Sequence, residues 1–251
     1  MKDSDQFPIL YHAHHRLHME DLPFWLALAE RQGSPILELG CGTGRVLLPL
    51  VEASYHLYGL DHDSAMLSFL RDRLPSGLKA RTSLIHADLA HIPIHGLFSL
   101  VLLPCNTYST LPAEGRRSCL LGVRAALASD GLFVASLPNP QTLRRLPHSS
   151  GPELEEVFSH PLDGEPVQVS SAWERSAEWF ELSWYYDHLL PDGRVERLTA
   201  RARHSLASLG ELEAEFRTCG LEVEETYGDF HGAAYTADAE DLIILARRGD
   251  D

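Results

Sequence analysis

Three glycines at alternate positions, Gly40, Gly42 and Gly44, follow the apolar segment 36–39 and could hold a ligand against the backbone. Glycine has no side chain, so a tight turn built from it lets a ligand approach backbone N–H groups closely. Glu38 lies two residues before the first glycine and adds a negative charge. Dinucleotide-binding enzymes space their glycines as G-x-G-x-x-G, whereas the spacing here is G-x-G-x-G. The segment predicts a buried strand, a ligand-binding turn and the start of a helix.

Two aspartates end the next predicted strands and suit the recognition of a nucleoside. Asp61 closes the segment 55–61, and Asp88 closes the segment 83–88. In sheets that bind ribose, an acidic residue about 20 positions after the glycine turn, at the tip of the second strand, accepts hydrogen bonds from the sugar hydroxyls. Aspartate is also common as a helix cap or turn former, so a purely structural role is the alternative for both residues.

Five predicted strands in order, the G-x-G-x-G turn and the acidic strand ends together resemble the class I S-adenosylmethionine (SAM) methyltransferases. The resemblance covers roughly residues 35–140 tightly and the rest of the chain more loosely; another kind of nucleotide-binding sheet is the alternative. It implies SAM as the cofactor and S-adenosylhomocysteine (SAH) as the product. It also implies an α/β fold with a seven-stranded, mostly parallel Rossmann-like sheet, helices on both faces and an antiparallel last strand.

The resemblance implies a set of cofactor-binding residues, namely Glu38, Gly40, Cys41, Gly42, Gly44, Asp61, His62, Met66, Asp88, Leu89 and Pro104. The glycine turn would lie against the methionine portion of SAM, and Glu38 would orient the ammonium group through a water molecule. Asp61 would accept hydrogen bonds from both ribose hydroxyls, because a carboxylate has two accepting oxygens. His62 and Met66 would flank the adenine ring. Asp88 would accept a hydrogen bond from the adenine amino group, with the Leu89 amide nearby.

The segment 104–108, Pro-Cys-Asn-Thr-Tyr, follows the fourth predicted strand, where this family places its catalytic loop. It lacks the N/D-P-P-Y/F pattern that marks methylation of DNA bases, glutamine or exocyclic amines, which argues against a nucleobase substrate. By resemblance, Asn106 would contact the methionine end of SAM or the acceptor, and Tyr108 would form a wall beside the methyl group. A loop asparagine and a packed tyrosine are equal alternatives.

Histidines are dense in the segment 11–18, near the N-terminus. His14 and His18 would share a helix face at i, i+4, but neither an H-E-x-x-H motif nor a cysteine partner accompanies them. Methyl transfer from SAM needs no metal, because a sulfonium is already a good leaving group, and we therefore expect no metal. In related small-molecule enzymes an N-terminal tyrosine and helix close over SAM, so Tyr11 and His14 are candidates for a lid. Solvated or packed histidines are the alternative.

The elements that must position these residues form a nucleotide-type pattern with one interruption. Residues 7–33 predict an N-terminal helical cap that ends at a glycine. Residues 35–137 alternate strands and helices, which predicts parallel strands joined by right-handed crossovers. The pattern resumes after residue 207 with a helix and two strands. We therefore expect a SAM-binding domain made of residues 1–149 and 208–251.

Residues 150–207 predict an inserted antiparallel sheet of three strands. The segment 179–187 alternates between an apolar and a mixed face, and Pro-Asp-Gly at 191–193 is a strong turn signal. Three of the four tryptophans lie in this insertion: Trp173, Trp179 and Trp184. Their rings are compatible with an acceptor pocket or lid, with a sheet core, or with the face of a homodimer.

Composition narrows the classes of protein. The chain of 251 residues has 44% hydrophobic residues and a net charge of −15. This charge opposes binding to nucleic acid, whose affinity comes largely from neutralising phosphates. No apolar run is long enough for a membrane span, and the first residues lack the pattern of a signal peptide. The four cysteines show no C-x-x-C spacing, so we expect reduced thiols and a cytoplasmic protein.

These observations predict an enzyme that transfers a methyl group from SAM to a small-molecule acceptor. The resemblance is greatest to the glycine and amino-sugar N-methyltransferases, whose inserted sheet roofs the active site, so an amine acceptor is expected. An O-methyltransferase acting on a small hydroxylated metabolite is one alternative. A protein or RNA methyltransferase is another, although no basic surface or extra domain is evident. A SAM-binding accessory protein without turnover would show the same glycine turn and acids.

Overall fold

Two helices precede the first strand in the computed structural model, which describes residues 3–249. They are α1, Asp3–His15, and α2, Leu22–Gln32. The sequence predicted one helical cap over 7–33, and the structure divides it at residues 16–21. Helix α2 begins with a proline in its first turn and ends at Gly33, whose φ of +74° suits glycine.

The strands in chain order are β1 Ile36–Leu39, β2 Leu57–Asp61, β3 Thr82–His86, β4 Phe98–Leu103, β5 Leu127–Pro138, β6 Glu153–Ser159, β7 Pro166–Arg175, β8 Trp179–Leu189, β9 Val195–Ser205, β10 Leu221–Tyr227 and β11 Asp241–Arg248. The remaining helices are α3 Leu47–Glu52, α4 Ser64–Arg73, α5 Thr107–Thr110, α6 Ala113–Ala126, α7 Pro140–Arg145 and α8 Leu209–Thr218, with a 3₁₀ turn at Ser76–Arg81. The third predicted strand therefore ends before Asp88 rather than at it.

The main sheet has seven strands in the order β10-β11-β5-β4-β1-β2-β3. Strands β1 to β5 are parallel to one another, and β11 runs antiparallel to both β5 and β10. The predicted α/β fold class is confirmed, including the antiparallel last strand. Because β1 lies between β2 and β4, the chain reverses its direction of travel there, and such a switch point is where open α/β sheets bind ligands.

Apolar side chains cover both faces of this sheet. On one face Phe133 and Phe216 pack with Val123 of α6, and on the other Trp25 of α2 packs with Leu47 of α3. The central strand β1 is buried along its whole length, as a strand covered on both sides must be. Buried strands leave their carboxyl-terminal ends, and the loops that follow them, as the surface on which a ligand can be held.

A second sheet is antiparallel and has the order β6-β7-β8-β9. Its three longer strands match the prediction, whereas the edge strand β6 was missed because its acidic residues hide the alternation. Helix α1 packs on this sheet: Leu10 shares a small core with Val167, Val169 and Tyr186. The boundary of the predicted domains, at 149/150 and 207/208, stays a prediction.

Among the described residues, no helix combines the length and the apolar character that crossing a membrane requires.

Candidate active site

The glycine turn after β1 has a backbone that glycine adopts without strain. The angle φ is +67° at Gly40, +51° at Gly42 and +85° at Gly44, all in the left-handed region. A Cβ atom on Gly44 would lie 2.5 Å from Cδ1 of Leu70, so this glycine lets α4 pack against the turn. A Cβ atom on Gly42 would meet no atom of the described residues within 4 Å, so the space above the turn is open to a ligand.

Asp61 lies at the end of β2, directly beside this turn. Its two oxygens accept hydrogen bonds from the backbone N–H groups of Gly42 and Asp63, each at 2.8 Å. The side chain is buried, with 7% of its surface exposed. Asp61 therefore fixes the conformation of the turn. Each of its carboxylate oxygens has a second lone pair, so both can still accept a hydrogen bond from a ligand hydroxyl.

The other residues predicted on this side lie around the ends of β2 and β3. His62 is exposed, with Nδ1 3.6 Å from Oδ1 of Asp61, and Met66 is buried in the first turn of α4. Asp88 is exposed and its Oδ1 accepts a hydrogen bond from the N–H of Ala90 at 2.8 Å. Leu89 is buried in the core. Asp88 thus forms a turn in this structure, and its contact with the adenine amino group stays a prediction.

Glu38 is a buried carboxyl group beneath the glycine turn. Only 2% of its surface is exposed, and its Oε2 has no hydrogen-bond partner among the described residues. Burial raises its pKa well above the usual range; Asp61 and Asp21 raise it further, and Arg45 partly opposes them. A buried acceptor without a donor costs free energy, so this oxygen suits a positively charged ligand group.

Arg45 joins three segments of the site. Its guanidinium donates two hydrogen bonds to Asp21, at 2.5 and 2.7 Å, and one to the carbonyl of His18 at 2.8 Å. A fourth contact runs from Nη2 of Arg45 to Sγ of Cys105 at 3.0 Å. Although burial alone would raise the pKa of Asp21, the bonds from Arg45 lower it below its usual value. The sequence interpretation missed this role of Arg45. The feature that could have indicated it is the position of a charged residue between the glycine turn and an apolar helix.

The loop after β4 has two consecutive residues in the left-handed region. Cys105 has φ +59° and Asn106 has φ +60°, a conformation that costs a non-glycine residue about 1–3 kcal/mol. Strained backbone of this kind is concentrated at functional sites. Cys105, Asn106 and Thr107 line a cavity of about 790 Å³ at this edge of the sheet, and the preceding Pro104 is buried.

Tyr108 lies elsewhere, and the prediction that it forms a wall beside a methyl group is wrong. Its ring is fully buried in the core, packed at 5.8 Å from the ring of Phe216. Its hydroxyl donates a hydrogen bond to Glu215 of α8 at 3.1 Å. The short helix α5 turns this side chain away from the cavity, which agrees with the packed-tyrosine alternative.

The N-terminal helix and the second sheet form the opposite wall of the cavity. Tyr11 lines it and stacks on His15, with ring centroids 4.0 Å apart. Leu182 and Trp184 of β8 and His204 of β9 line it from the sheet. His14 does not line the cavity: it is buried between α1 and the sheet, with Nδ1 3.1 Å from the hydroxyl of Tyr186. His14 therefore holds α1 on the sheet, and its role as a lid residue stays a prediction.

Comparison with known proteins identifies the family. Residues 36–131 match the model of the family described as "Methyltransferase domain". Residues 36–131 therefore form a methyltransferase domain. Among curated proteins, this methyltransferase is similar to the cypemycin N-terminal methyltransferase of Streptomyces sp, with 25% identity over 219 residues that cover 86% of this chain and 84% of the relative.

Solved structures share the whole fold of the methyltransferase. A SAM-dependent methyltransferase from Clostridium acetobutylicum ATCC 824 superposes with a TM-score of 0.80 at 15% identity, covering 96% of this chain and 98% of that one. SAM-bound CalS10, an amino pentose methyltransferase from Micromonospora echinaspora, superposes with a TM-score of 0.71 at 20% identity, covering 95% and 96%. The likeness therefore includes the second sheet as well as the matched domain.

SAM is the methyl donor of this family, and the residues of the methyltransferase fit it. The unpartnered oxygen of buried Glu38 and the open space above Gly42 lie on adjacent segments. SAM carries an ammonium group that can supply the missing charge partner and ribose hydroxyls that can donate hydrogen bonds. Asp61 offers acceptors at the neighbouring strand end.

Carboxylates dominate the charge of the methyltransferase cavity. The acidic residues that line it are Glu20, Asp21, Asp229, Glu240 and Asp241. Among the described residues that line it, Arg45 is the one arginine or lysine, and Asp21 neutralises it. Burial, with smaller contributions from neighbouring acids, raises the pKa of Asp241 to about 6. The cavity is therefore electronegative, which the sequence interpretation did not anticipate.

Proposed function

We propose that the methyltransferase transfers the methyl group of SAM to the nitrogen of a small cationic amine. The observation that carries the proposal is the excess of carboxylates in the cavity, of which Asp229, Glu240 and Asp241 have no arginine or lysine partner among the described residues. A carboxylate that is partly buried, as Asp241 is, attracts an ammonium group more strongly than an exposed one, because less water screens the pair. A neutral hydroxyl compound gains no comparable attraction.

In this proposal the cofactor lies over the glycine turn. Glu38 holds the ammonium of the methionine portion, Asp61 accepts from the ribose hydroxyls, and the loop at Asn106 borders the acceptor. The supporting contacts are the unpartnered Glu38 oxygen and the fixed orientation of Asp61. The helix that carries Tyr11 and the sheet that carries Trp184 form one wall of the cavity, which limits the access of water to the reacting groups from that side.

A protonated amine must lose a proton before its nitrogen can attack. SAM supplies a methyl group on a sulfonium, which leaves as a neutral thioether, so the nitrogen needs a free lone pair. The carboxylate of Asp241, with a pKa of about 6, is a stronger proton acceptor than an ordinary aspartate. We assign it the proton of the ammonium, which then passes to solvent through the open side of the cavity.

Two histidines of the cavity, half-buried His15 and buried His204, favour nitrogen over oxygen as the acceptor atom. Burial lowers the pKa of His15 to about 3 and that of His204 to about 4. Groups of such low pKa are poor bases for a hydroxyl acceptor, which usually needs one. The names of the relatives, an N-terminal methyltransferase and an amino pentose methyltransferase, also support a nitrogen acceptor.

The test is transfer from methyl-labelled SAM to a panel of small amines and to alcohols of the same carbon skeleton. We expect labelled N-methyl products and a kcat/KM that falls below pH 6 as Asp241 is protonated. Asp241→Asn should remove that acid limb and lower kcat/KM by at least about 10-fold. Turnover of the alcohols in preference to the amines would support the O-methyltransferase, and tight SAH binding without any transfer would support an accessory protein.

A further inference from the structure

A cluster of three metal-binding side chains lies where α1 meets the second sheet. One nitrogen each of His14 and His18 and one oxygen of Glu156 all lie within 4.8 Å of one another. His14 is in the last turn of α1, His18 follows it in the connection to α2, and Glu156 is on β6. The cluster is outside the SAM site but next to the cavity, which His18 also lines.

His14 is oriented as a metal ligand would be. Its Nδ1 is paired with the hydroxyl of Tyr186 at 3.1 Å, and Tyr186 is itself fully buried. That contact fixes the ring and leaves Nε2 directed towards the acidic residues of β6, with Oε2 of Glu155 at 3.6 Å. Metal-ligating histidines almost always use their second nitrogen in this way, and the partner sets the ring orientation.

An irregularity in β6 brings the carboxylates to the histidines. The pairing of β6 with β7 shifts between Leu154 and Glu156, so Glu155 is an extra residue in the strand. In a regular strand, consecutive side chains point to opposite faces. Here the side chains of both Glu155 and Glu156 lie near His14. A β-bulge redirects side chains in this way.

Two of the three side chains, those of His18 and Glu156, are available to bind a metal ion. Within the described part of the chain, the ring of His18 and the carboxylate of Glu156 make no hydrogen bond or ion pair. His18 is exposed and Glu156 half-buried, so both can adjust their rotamers. Ligand atoms on one tetrahedral Zn²⁺ are about 3.3 Å apart, which small rotations of these two side chains reach.

We propose that His14, His18 and Glu156 form a Zn²⁺ site. Two imidazoles and one carboxylate are a known zinc ligand set that leaves a fourth position for water or another ligand. The bound ion would join the end of α1 to β6, and so fasten the helix that carries Tyr11 to the second sheet. Nothing in the SAM site takes part.

A second cluster of two histidines and one carboxylate differs from the first, because its side chains already bond to one another. His160 and His188 each contact Asp163, at 3.1 and 3.2 Å. Their rings are stacked, with centroids 4.2 Å apart and planes at 18°. Both histidine nitrogens lie near the same oxygen, Oδ1 of Asp163, at 3.1 and 3.3 Å. These three side chains are therefore already paired with one another, and Asp163 serves as the matched control.

The experiment is titration of the full-length, tag-free protein with Co²⁺, followed by its absorption bands, and with Zn²⁺, followed by the thermal midpoint. We expect one Co²⁺ per chain and a rise in Tm with Zn²⁺. His18→Gln and Glu156→Gln should each weaken binding at least 10-fold, and neither exposed change should prevent folding. Tyr186→Phe should weaken binding about 10-fold through the orientation of His14. Asp163→Asn should leave binding unchanged.

Two results would overturn the proposal. One is wild-type protein that binds neither ion more tightly than about 0.1 mM, a value weaker than folded zinc sites show. The other is Co²⁺ binding that survives His18→Gln and Glu156→Gln but is lost in Asp163→Asn, which would assign the metal to the stacked histidines.

Discussion

Replacing Asp241 with asparagine should stabilise the methyltransferase at pH 8. Burial and three neighbouring acids raise the pKa of this carboxyl from 3.8 to about 6. Because the pKa is higher in the folded state, the group favours folding only while protonated. Its contribution is fully present below pH 4 and is lost as the pH rises through 6. Above pH 6 the carboxyl is ionised in both states, and its negative charge is less stable in the folded protein than in the unfolded chain.

The magnitude follows from the shift. One pKa unit corresponds to about 1.36 kcal/mol, so a shift from 3.8 to about 6 corresponds to about 3 kcal/mol of lost stability at pH 8. Asp241 is only partly buried, and solvent screening reduces this to about 1.5 kcal/mol. For a protein of this size, that predicts a rise in Tm of about 3–6 °C for Asp241→Asn. At pH 5 the gain should be about half as large.

The assay is thermal unfolding of wild type and variant at pH 8 and pH 5. Asp229→Asn is the matched control with the opposite sign, because Asp229 accepts hydrogen bonds from the N–H groups of His231 and Ala233. These bonds lower its pKa, so its replacement should destabilise the protein at pH 8. A lower Tm for Asp241→Asn at pH 8, or a gain equal at both pH values, would refute the reasoning.

Three further changes test other parts of the site. Arg45→Gln should lower the free energy of unfolding by about 3–5 kcal/mol, because it leaves Asp21 buried without its charge partner; denaturant unfolding measures this. Trp184→Ala should raise KM for the acceptor and leave the Kd of SAH unchanged in calorimetry, since Trp184 lines the cavity from the second sheet. Glu38→Gln should weaken SAH binding about 10-fold. In the wild type, affinity for SAH should rise with pH, because Glu38 has a raised pKa and must ionise to bind an ammonium group. Glu38→Gln should abolish this dependence on pH.

Each of these expectations has a contrary result. An Arg45→Gln protein as stable as wild type would mean that solvent already screens the pair with Asp21. Loss of SAH binding in a folded Trp184→Ala variant would place the second sheet on the cofactor side. Wild-type affinity for SAH that is independent of pH would mean that Glu38 is not the partner of the ammonium.

Local spacing was sufficient to place Asp61 beside the glycine turn. The glycine turn and Asp61 lie on consecutive strands, and parallel strands present their carboxyl ends at one edge. Their proximity therefore followed from the order of elements alone. Tyr108 shows the limit of this reasoning: the sequence placed it in the right loop, but the face of a four-residue helix is not visible in local spacing.

The acceptor side could not be predicted because distant segments form it. Asp229 and Asp241 approach the β4 loop only because β11 pairs with β5, and neither has a motif of its own. The same holds for Glu156, which approaches His14 across the contact of α1 with β6, so a search for local metal motifs found no third ligand. Strand β6 itself was hidden because acidic residues occupy positions on both of its faces.

The packing of α1 has a consequence for protein engineering. Leu10 is buried against Val167, Val169 and Tyr186, so the first helix and the second sheet share one core although more than a hundred residues separate them in the chain. A chimera that takes the sheet from another methyltransferase to change acceptor specificity must therefore take the matching helix as well. Grafting the sheet alone should leave an apolar patch on each part and give aggregated protein, whereas a paired graft should remain monodisperse.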